Sequence, residues 1–297
     1  MAPSRTVKAP MPRAITGIDH VGLVSHDMAE TEAVFRRLGF AVTAPVPLMG
    51  TGPDGKPRPL GQDSQHIVFR DSYVELTAIS DPAAGNHLAP FIARYAGLHI
   101  VALATANAAA AAEDLGRRGI AAGPVMEASR HVAYGTPGLA RFRWLMVPPA
   151  TAPEGLFCVV EHVTPETVYQ DVVTAHPNSA LGVSEVMVCV EDVGVTTARY
   201  QQMLAAPGTP VRGGRAFDFG EARLVVLDAD GIAGRYTDVR PPCLPWLAGF
   251  VVAVADIGHA DALLRGNGVG AIQTGPDRLW VHPEEAAGTI IEFRATE

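Results

Sequence analysis

A short apolar stretch with a histidine near its start occurs twice, as Gly17-Ile18-Asp19-His20-Val21-Gly22-Leu23 and as Gly97-Leu98-His99-Ile100-Val101-Ala102-Leu103. Each copy leads into a helical stretch that closes on basic residues and a glycine, Arg36-Arg37-Leu38-Gly39 in the first and Arg117-Arg118-Gly119 in the second. The histidine-to-glycine spacing is 19 residues in the first copy (39 − 20) and 20 in the second (119 − 99). A repeat of this kind constrains a fold more than local propensity does. Both copies must form the same supersecondary unit and bury their apolar faces against a neighbour.

Read in order, each copy predicts a β-α-β-β-β cycle. Residues 15–24 alternate as a half-buried strand, Asp27 caps a helix with Ala33, Val34, Phe35 and Leu38 on its apolar side, and 40–47 forms a second strand. Residues 49–64, rich in glycine and proline, read as a long loop of the lid type. Strands over 65–70 and 72–79 close the cycle around Asp71. The second cycle runs from Gly97 through an alanine-rich helix (106–115) to strands near 120–126, 141–147 and 156–163. A third starts at Val183, with a helix over 196–204 and strands near 215–219 and 222–228. A fourth starts at Gly249, passes through a helix ending at Gly268 and closes on 279–282 and 289–294. Four cycles make two pairs, separated by the polar segment 170–180. The expected organisation is α+β: a loose arm over 1–14, an N-terminal domain over 15–170 and a C-terminal domain over 181–297.

Composition narrows the partners. Of 297 residues, 48% are hydrophobic and 18% charged, enough to bury a large core. A net charge of −8 speaks against nucleic acid or an anionic membrane surface, which leaves a small-molecule substrate and a second copy of the chain, as a homodimer. Cys158, Cys189 and Cys243 are odd in number and scattered, fitting neither a disulfide framework nor a zinc ribbon, so the expected compartment is the reducing cytoplasm. No signal peptide or membrane span is expected.

Strand periodicity then selects side chains. In 72–79, Tyr73, Glu75, Thr77 and Ile79 share a face; in 156–163, Phe157, Val159, Glu161 and Val163 are taken as the matching set. If the two cycles pair about a pseudo-twofold axis, His20, Glu75, His99 and Glu161 converge in one cleft. A carboxylate inside an apolar strand is costly unless paired or metal-bound, and imidazole with carboxylate suits Zn, Ni, Co, Mn or Fe(II). One divalent metal ion is the predicted cofactor. Tyr73, His66 on the third strand, Phe157 and Arg143 are the candidate substrate contacts, with His66 placed more readily at the surface. His162 follows Glu161 at once and points to the opposite face unless a bulge exchanges them. Taken singly, each histidine is more ordinarily a hydrogen-bonded core residue. Phosphate loops and the Gly-x-Ser-x-Gly elbow are absent, so nucleotide binding and serine hydrolysis have no motif behind them.

The segments Ile18-Asp19-His20-Val21, Val74-Glu75-Leu76-Thr77, Gly97-Leu98-His99-Ile100 and Val160-Glu161-His162 resemble those of the vicinal oxygen chelate superfamily, which includes glyoxalase I and extradiol dioxygenases. The likeness is to bacterial glyoxalase-like domain proteins and covers about 15–170. It implies four βαβββ modules paired into two domains, with His20, Glu75, His99 and Glu161 as metal ligands. It further implies a metal-stabilised enediolate on a small hydroxycarbonyl-type substrate, with Glu161 or Glu75 shuttling the proton in an isomerase, epimerase or lyase reaction. The alternatives are an Fe(II) ring-cleaving dioxygenase using His20, His99 and Glu161, and a metal-free protein that sequesters small molecules. The C-terminal half departs from the pattern, with Glu185 where His20 stands, Phe250 opposite His99, and only Glu292 keeping the final carboxylate. No second metal is expected there, and typical four-module dioxygenases keep their metal in that half.

Overall fold

The computed structural model describes residues 13–52, 54–84 and 86–296. Apart from its last two residues, the arm expected over 1–14 lies outside the described residues. The first half contains β1 (Gly17–Ser25), α1 (Met28–Arg37), β2 (Val46–Thr51), β3 (Pro57–Val68), β4 (Tyr73–Ile79), α2 (Ala89–Ile92), β5 (Gly97–Ala104), α3 (Ala108–Arg117), β6 (Met126–Val132), β7 (Gly138–Met146), β8 (Leu156–His162) and α4 (Pro165–Val168). The second contains β9 (Ala180–Cys189), α5 (Val193–Leu204), β10 (Thr209–Val211), β11 (Gly214–Asp218), β12 (Arg223–Leu227), α6 (Ala229–Ala233), β13 (Trp246–Val254), α7 (Ile257–Gly266), β14 (Ile272–Gly275), β15 (Arg278–Val281) and β16 (Ile290–Ala295). This is the α+β arrangement of four βαβββ modules expected from the repeat.

The four long helices start alike. Asp27, Asn107, Asp192 and Asp256 are extended residues whose side chains accept the backbone N–H three positions on, satisfying one of the open donors of the first turn. Gly39 and Gly119, at φ 84° and 77°, turn the chain out of α1 and α3 in the left-handed region, where a side chain is strained.

Three sequence expectations change. No strand forms over 40–45, and the supposed lid over 49–64 is largely a hairpin, because β2 and the long β3 occupy most of it. Gln62, Ser64 and His66 of β3 face Ile79, Thr77 and Glu75 of β4, toward the barrel interior. A strand whose buried face is polar does not alternate as a strand should, which is why it reads as loop. Likewise β6 begins at Met126, where the second cycle was expected to have finished its second strand.

In the first half the strands close into a barrel of order β1-β4-β3-β2-β6-β7-β8-β5; in the second, β10-β11-β12-β9-β13-β16-β15-β14 form an open sheet. The modules meet through the antiparallel pairs β1/β5 and β9/β13. One core, including Val21, Phe35, Leu103, Phe157, Val188, Tyr200, Leu247 and Phe293, runs between the two halves. The concave face of the open sheet is filled by its own chain. Ile232, Tyr236 and Val239 pack there with Met187, Trp246 and Trp280. Glu185 is buried against Arg223, Arg235 and Arg294, and Glu292 accepts from the Tyr236 hydroxyl at 2.7 Å. The barrel interior, in contrast, retains a cavity.

Candidate functional site

Three markers align the two barrel modules: the leading glycines, the helix caps and the left-handed glycines each recur 80 positions later (97 − 17, 107 − 27, 119 − 39). The histidines do not, since 99 − 20 is 79. At the offset of 80, His20 corresponds to Ile100, and Asp19 to His99. Register carries the correspondence onto the closing strands. Glu75 lies beside Gly22 in the parallel pair β1/β4, and Cys158 lies beside Ala102 in β5/β8, so Cys158 is the counterpart of Glu75. His20, Glu75, Ile100 and Cys158 all line one interior cavity of about 90 Å³. Shifting a strand by one residue turns its whole side-chain set to the other face.

His99 and Glu161 are corrected accordingly. His99 is the extra residue of a bulge in β5. Its Nε2 is bonded to the Tyr95 carbonyl at 2.6 Å, and its ring lies against Tyr95, outside the lining of the cavity. Glu161 sits on the outer side of β8, where it accepts from Arg143 at 3.0 Å and from the Ala108 N–H at 2.9 Å, holding the start of α3. Arg143 is thereby a surface partner of Glu161. Phe157 packs against Tyr200 of the second half. The inward set of β8 is Leu156, Cys158, Val160 and His162. His66, expected at the surface, is buried.

The polar part of the cavity belongs to the first module. Asp19 is the extra residue of the matching bulge in β1, which allows it and His20 to face inward together. Asp19 Oδ2 is 2.6 Å from His20 Nδ1, and its Oδ1 is 2.9 Å from His162 Nε2 and accepts from the Tyr169 hydroxyl at 3.2 Å. Burial opposes ionisation of Asp19, but the hydrogen bonds and charges of His162 and His20 outweigh it and hold the carboxyl well below the usual carboxylate range. With Nδ1 engaged, His20 turns Nε2 toward Glu75 Oε2, 3.7 Å away. Glu75 Oε1 is tied to Ser64 at 2.6 Å and Thr77 at 3.2 Å, leaving Oε2 on the cavity side. Tyr73 stacks on His20 at 4.3 Å, with its hydroxyl kept protonated by burial and by the Asp19 charge.

The second module contributes Ile100, Phe142, Trp144, Leu156, Cys158 and Val160, an apolar wall, together with Arg130. Arg130 is 4% exposed, lies over the rings of Tyr73 and Phe142, and donates to His66 Nε2. Burial, then the neighbouring guanidinium, push His66 well below its ordinary value, so it accepts as a neutral ring. Asp19, Cys158 and Arg130 were not site candidates in the sequence reading, and His162 entered it only as the residue on the face opposite Glu161. The 80-residue offset of the caps would have found Ile100 opposite His20, but from Glu75 it leads to Gly155; Cys158 depends on the register of β5 with β8, Asp19 on a bulge and Arg130 on the closure of β6 onto β2, none of which leaves a local mark.

A family model for the glyoxalase-like domain matches residues 18–204. The chain belongs to that family. This glyoxalase-like protein, of the vicinal oxygen chelate superfamily, shares its fold with a hypothetical protein from Staphylococcus aureus (9% identity, 94% of this chain and 99% of that one, TM-score 0.59). It likewise shares its fold with a mutant of 4-hydroxymandelate synthase from Streptomyces coelicolor (12% identity, 95% and 93% covered, TM-score 0.59). A third neighbour is the Mn(II)-bound glyoxalase from Novosphingobium aromaticivorans (12% identity, 96% and 83% covered, TM-score 0.57). No curated protein matches the sequence. No helix among the described residues is long and apolar enough to cross a membrane.

The donor set of the glyoxalase-like barrel does not fit a resident four-ligand metal. Two of the four equivalent positions carry His20 and Glu75, while the others carry Ile100, which has no donor, and Cys158, whose thiol burial pushes well above its ordinary value. The two-histidine, one-carboxylate triad fails equally, because His99 and Glu161 lie away from the cavity. No group of three or more metal-binding side chains converges among the described residues.

Proposed function

We propose that this protein is an enzyme that moves a proton on a small oxygenated carbonyl substrate inside the N-terminal barrel, as an isomerase, epimerase or lyase, with His20 as the base. One observation carries the reading: a buried carboxylate, Asp19, engages Nδ1 of His20 while Nε2 faces the cavity beside Glu75. A proton on Nδ1 directed at Asp19 leaves the Nε2 lone pair free to accept one, and the carboxylate stabilises the imidazolium that results. The free oxygen of Glu75 is placed to return a proton or to hold a substrate hydroxyl. Tyr73 fixes the plane of the His20 ring, and the Phe142 and Trp144 wall excludes water from the charge that develops.

The test is deuterium exchange into the carbon-bound hydrogens of a panel of small α-hydroxycarbonyls in D₂O, followed by NMR. His20→Gln and Glu75→Gln are each expected to slow exchange by about 100-fold or more, the usual size of a general acid–base contribution. Exchange unaltered in His20→Gln would overturn the proposal.

A second reading has specific support. A carboxylate behind Nδ1 is also what orients metal-ligating histidines, and the Novosphingobium glyoxalase holds Mn(II). His20 and Glu75 would then hold a divalent ion, which would supply a Lewis acid to the substrate carbonyl. Elemental analysis after metal loading separates the two: one equivalent bound by the wild type and lost in Glu75→Gln favours the ion.

A further inference from the structure

We propose that the substrate carries a carboxylate and that Arg130 receives it. This deepens the reading of the barrel as a small-molecule site and rests on it for the location of the ligand. It does not rest on the identity of the base.

Arg130 is nine-tenths buried, yet no Asp or Glu among the described residues pairs with it. A guanidinium cannot lose its charge at accessible pH, and an uncompensated buried charge is costly. Its Nη1 donates to neutral His66, Tyr73 and Phe142 supply only ring faces, and the neighbouring Tyr134 hydroxyl is uncharged and donates to the Val168 carbonyl. Nη2 is buried with no hydrogen-bond partner among the described residues. A fixed, desolvated donor without an acceptor is what an anion-binding position requires before its ligand arrives.

The surroundings say on which side the anion sits. Arg130 lines both the inner cavity, with Glu75 and His20, and an outer one of about 340 Å³ that opens past β6. The outer cavity is also lined by Thr43, His66, His131 and Tyr134, and by no carboxylate. The negative charges of Asp19 and Glu75 repel an anion from the inner end, so the carboxylate stays on the outer side of Arg130 while the uncharged part of the ligand reaches His20. One free guanidinium edge suits a carboxylate better than a phosphate dianion, which calls for several donors or a helix start. The apolar wall of Phe142, Trp144 and Leu156 favours an aromatic or branched remainder.

The probes are benzoylformate and its methyl ester, which replaces the anionic charge by one ester methyl group, titrated calorimetrically at constant ionic strength. Wild type is expected to bind the acid at least about tenfold more tightly than the ester, in line with a charge-assisted hydrogen bond. In Arg130→Gln the two should bind equally, at the affinity of the ester. Glu75→Gln should keep the preference for the acid, which separates this proposal from the fate of the proton-transfer reading. Equal binding of acid and ester by the wild type, absence of binding by the acid, or a preference surviving in folded Arg130→Gln each overturns it. The wild-type comparison decides the matter even if the variant fails to fold.

Discussion

Asp19 and His99 occupy the same place in their modules, each the extra residue of a bulge, and their side chains have parted company. Asp19 turned inward and became the anchor of His20. His99 turned toward α2, where burial pushes its imidazole down to about 4 despite the bond to Tyr95. A histidine whose folded value lies below its unfolded one holds fewer protons folded than unfolded between those values, so its contribution is complete above pH 6.5 and is lost as pH falls toward 4. His99→Gln is therefore expected to remove part of the acid sensitivity between pH 6.5 and 4, on the order of 1–3 kcal/mol, read from urea midpoints at several pH values. A stability curve unchanged in slope over that window would count against it. At this scale the metal-ligand expectation failed for His99 and Glu161. Two histidines in two repeats invite alignment on each other, whereas the caps and glycines align them one residue apart. The spacings of 19 and 20 already recorded the slip; nothing in a lone sequence says which marker to trust.

Among the elements, the barrel strands were legible wherever their buried face was apolar. β1, β4, β5 and β8 alternate or run apolar because the outward face meets the shared core, and their existence followed from the repeat and from hydrophobic periodicity. β3 reads as strand only from Gln65 on, and its first part, up to Ser64, reads as loop because its inner face is polar. β8 was found, but with the wrong side inward, since Phe157, Val159 and Glu161 look as suitable for an interior as Leu156, Cys158 and Val160. The pair β1/β5 is closely packed at its centre. A Cβ on Gly22 would stand 2.8 Å from Ile100 Cδ1 and 2.9 Å from Ile100 Cβ, inside any normal contact. Gly22→Ala should destabilise the protein by about 1–3 kcal/mol, the usual size of overpacking, and Gly22→Ala with Ile100→Val should recover part of the loss. Chemical unfolding of the two variants tests this, and additive rather than compensating effects would refute the contact.

At the scale of the whole molecule, the two halves are fastened by more than a linker. Glu154, fully buried beside the barrel, accepts from Arg199 at 2.6 Å and from the Tyr200 hydroxyl at 3.0 Å, both on α5 of the second half. Phe40 stacks on Phe293 at 5.9 Å across the same boundary. Glu154→Ala leaves a half-buried guanidinium and a buried hydroxyl without their acceptor, and about 3 kcal/mol of stability should go with it. The two halves should still unfold in a single transition, and a biphasic curve in the wild type would show that they are independent. The concave face of the open sheet is filled by its own chain, where the barrel keeps an interior cavity. Within the barrel, one module supplies His20, Glu75 and Asp19, and its twin the hydrocarbon wall together with Arg130. A ligand rotated by half a turn about the pseudo-twofold axis therefore exchanges acid–base groups for hydrocarbon, and the two poses differ in energy where a symmetric barrel would accept both. Such a vessel distinguishes the two faces of a flat carbonyl and the two hands of a stereocentre through the drift of a duplicated strand.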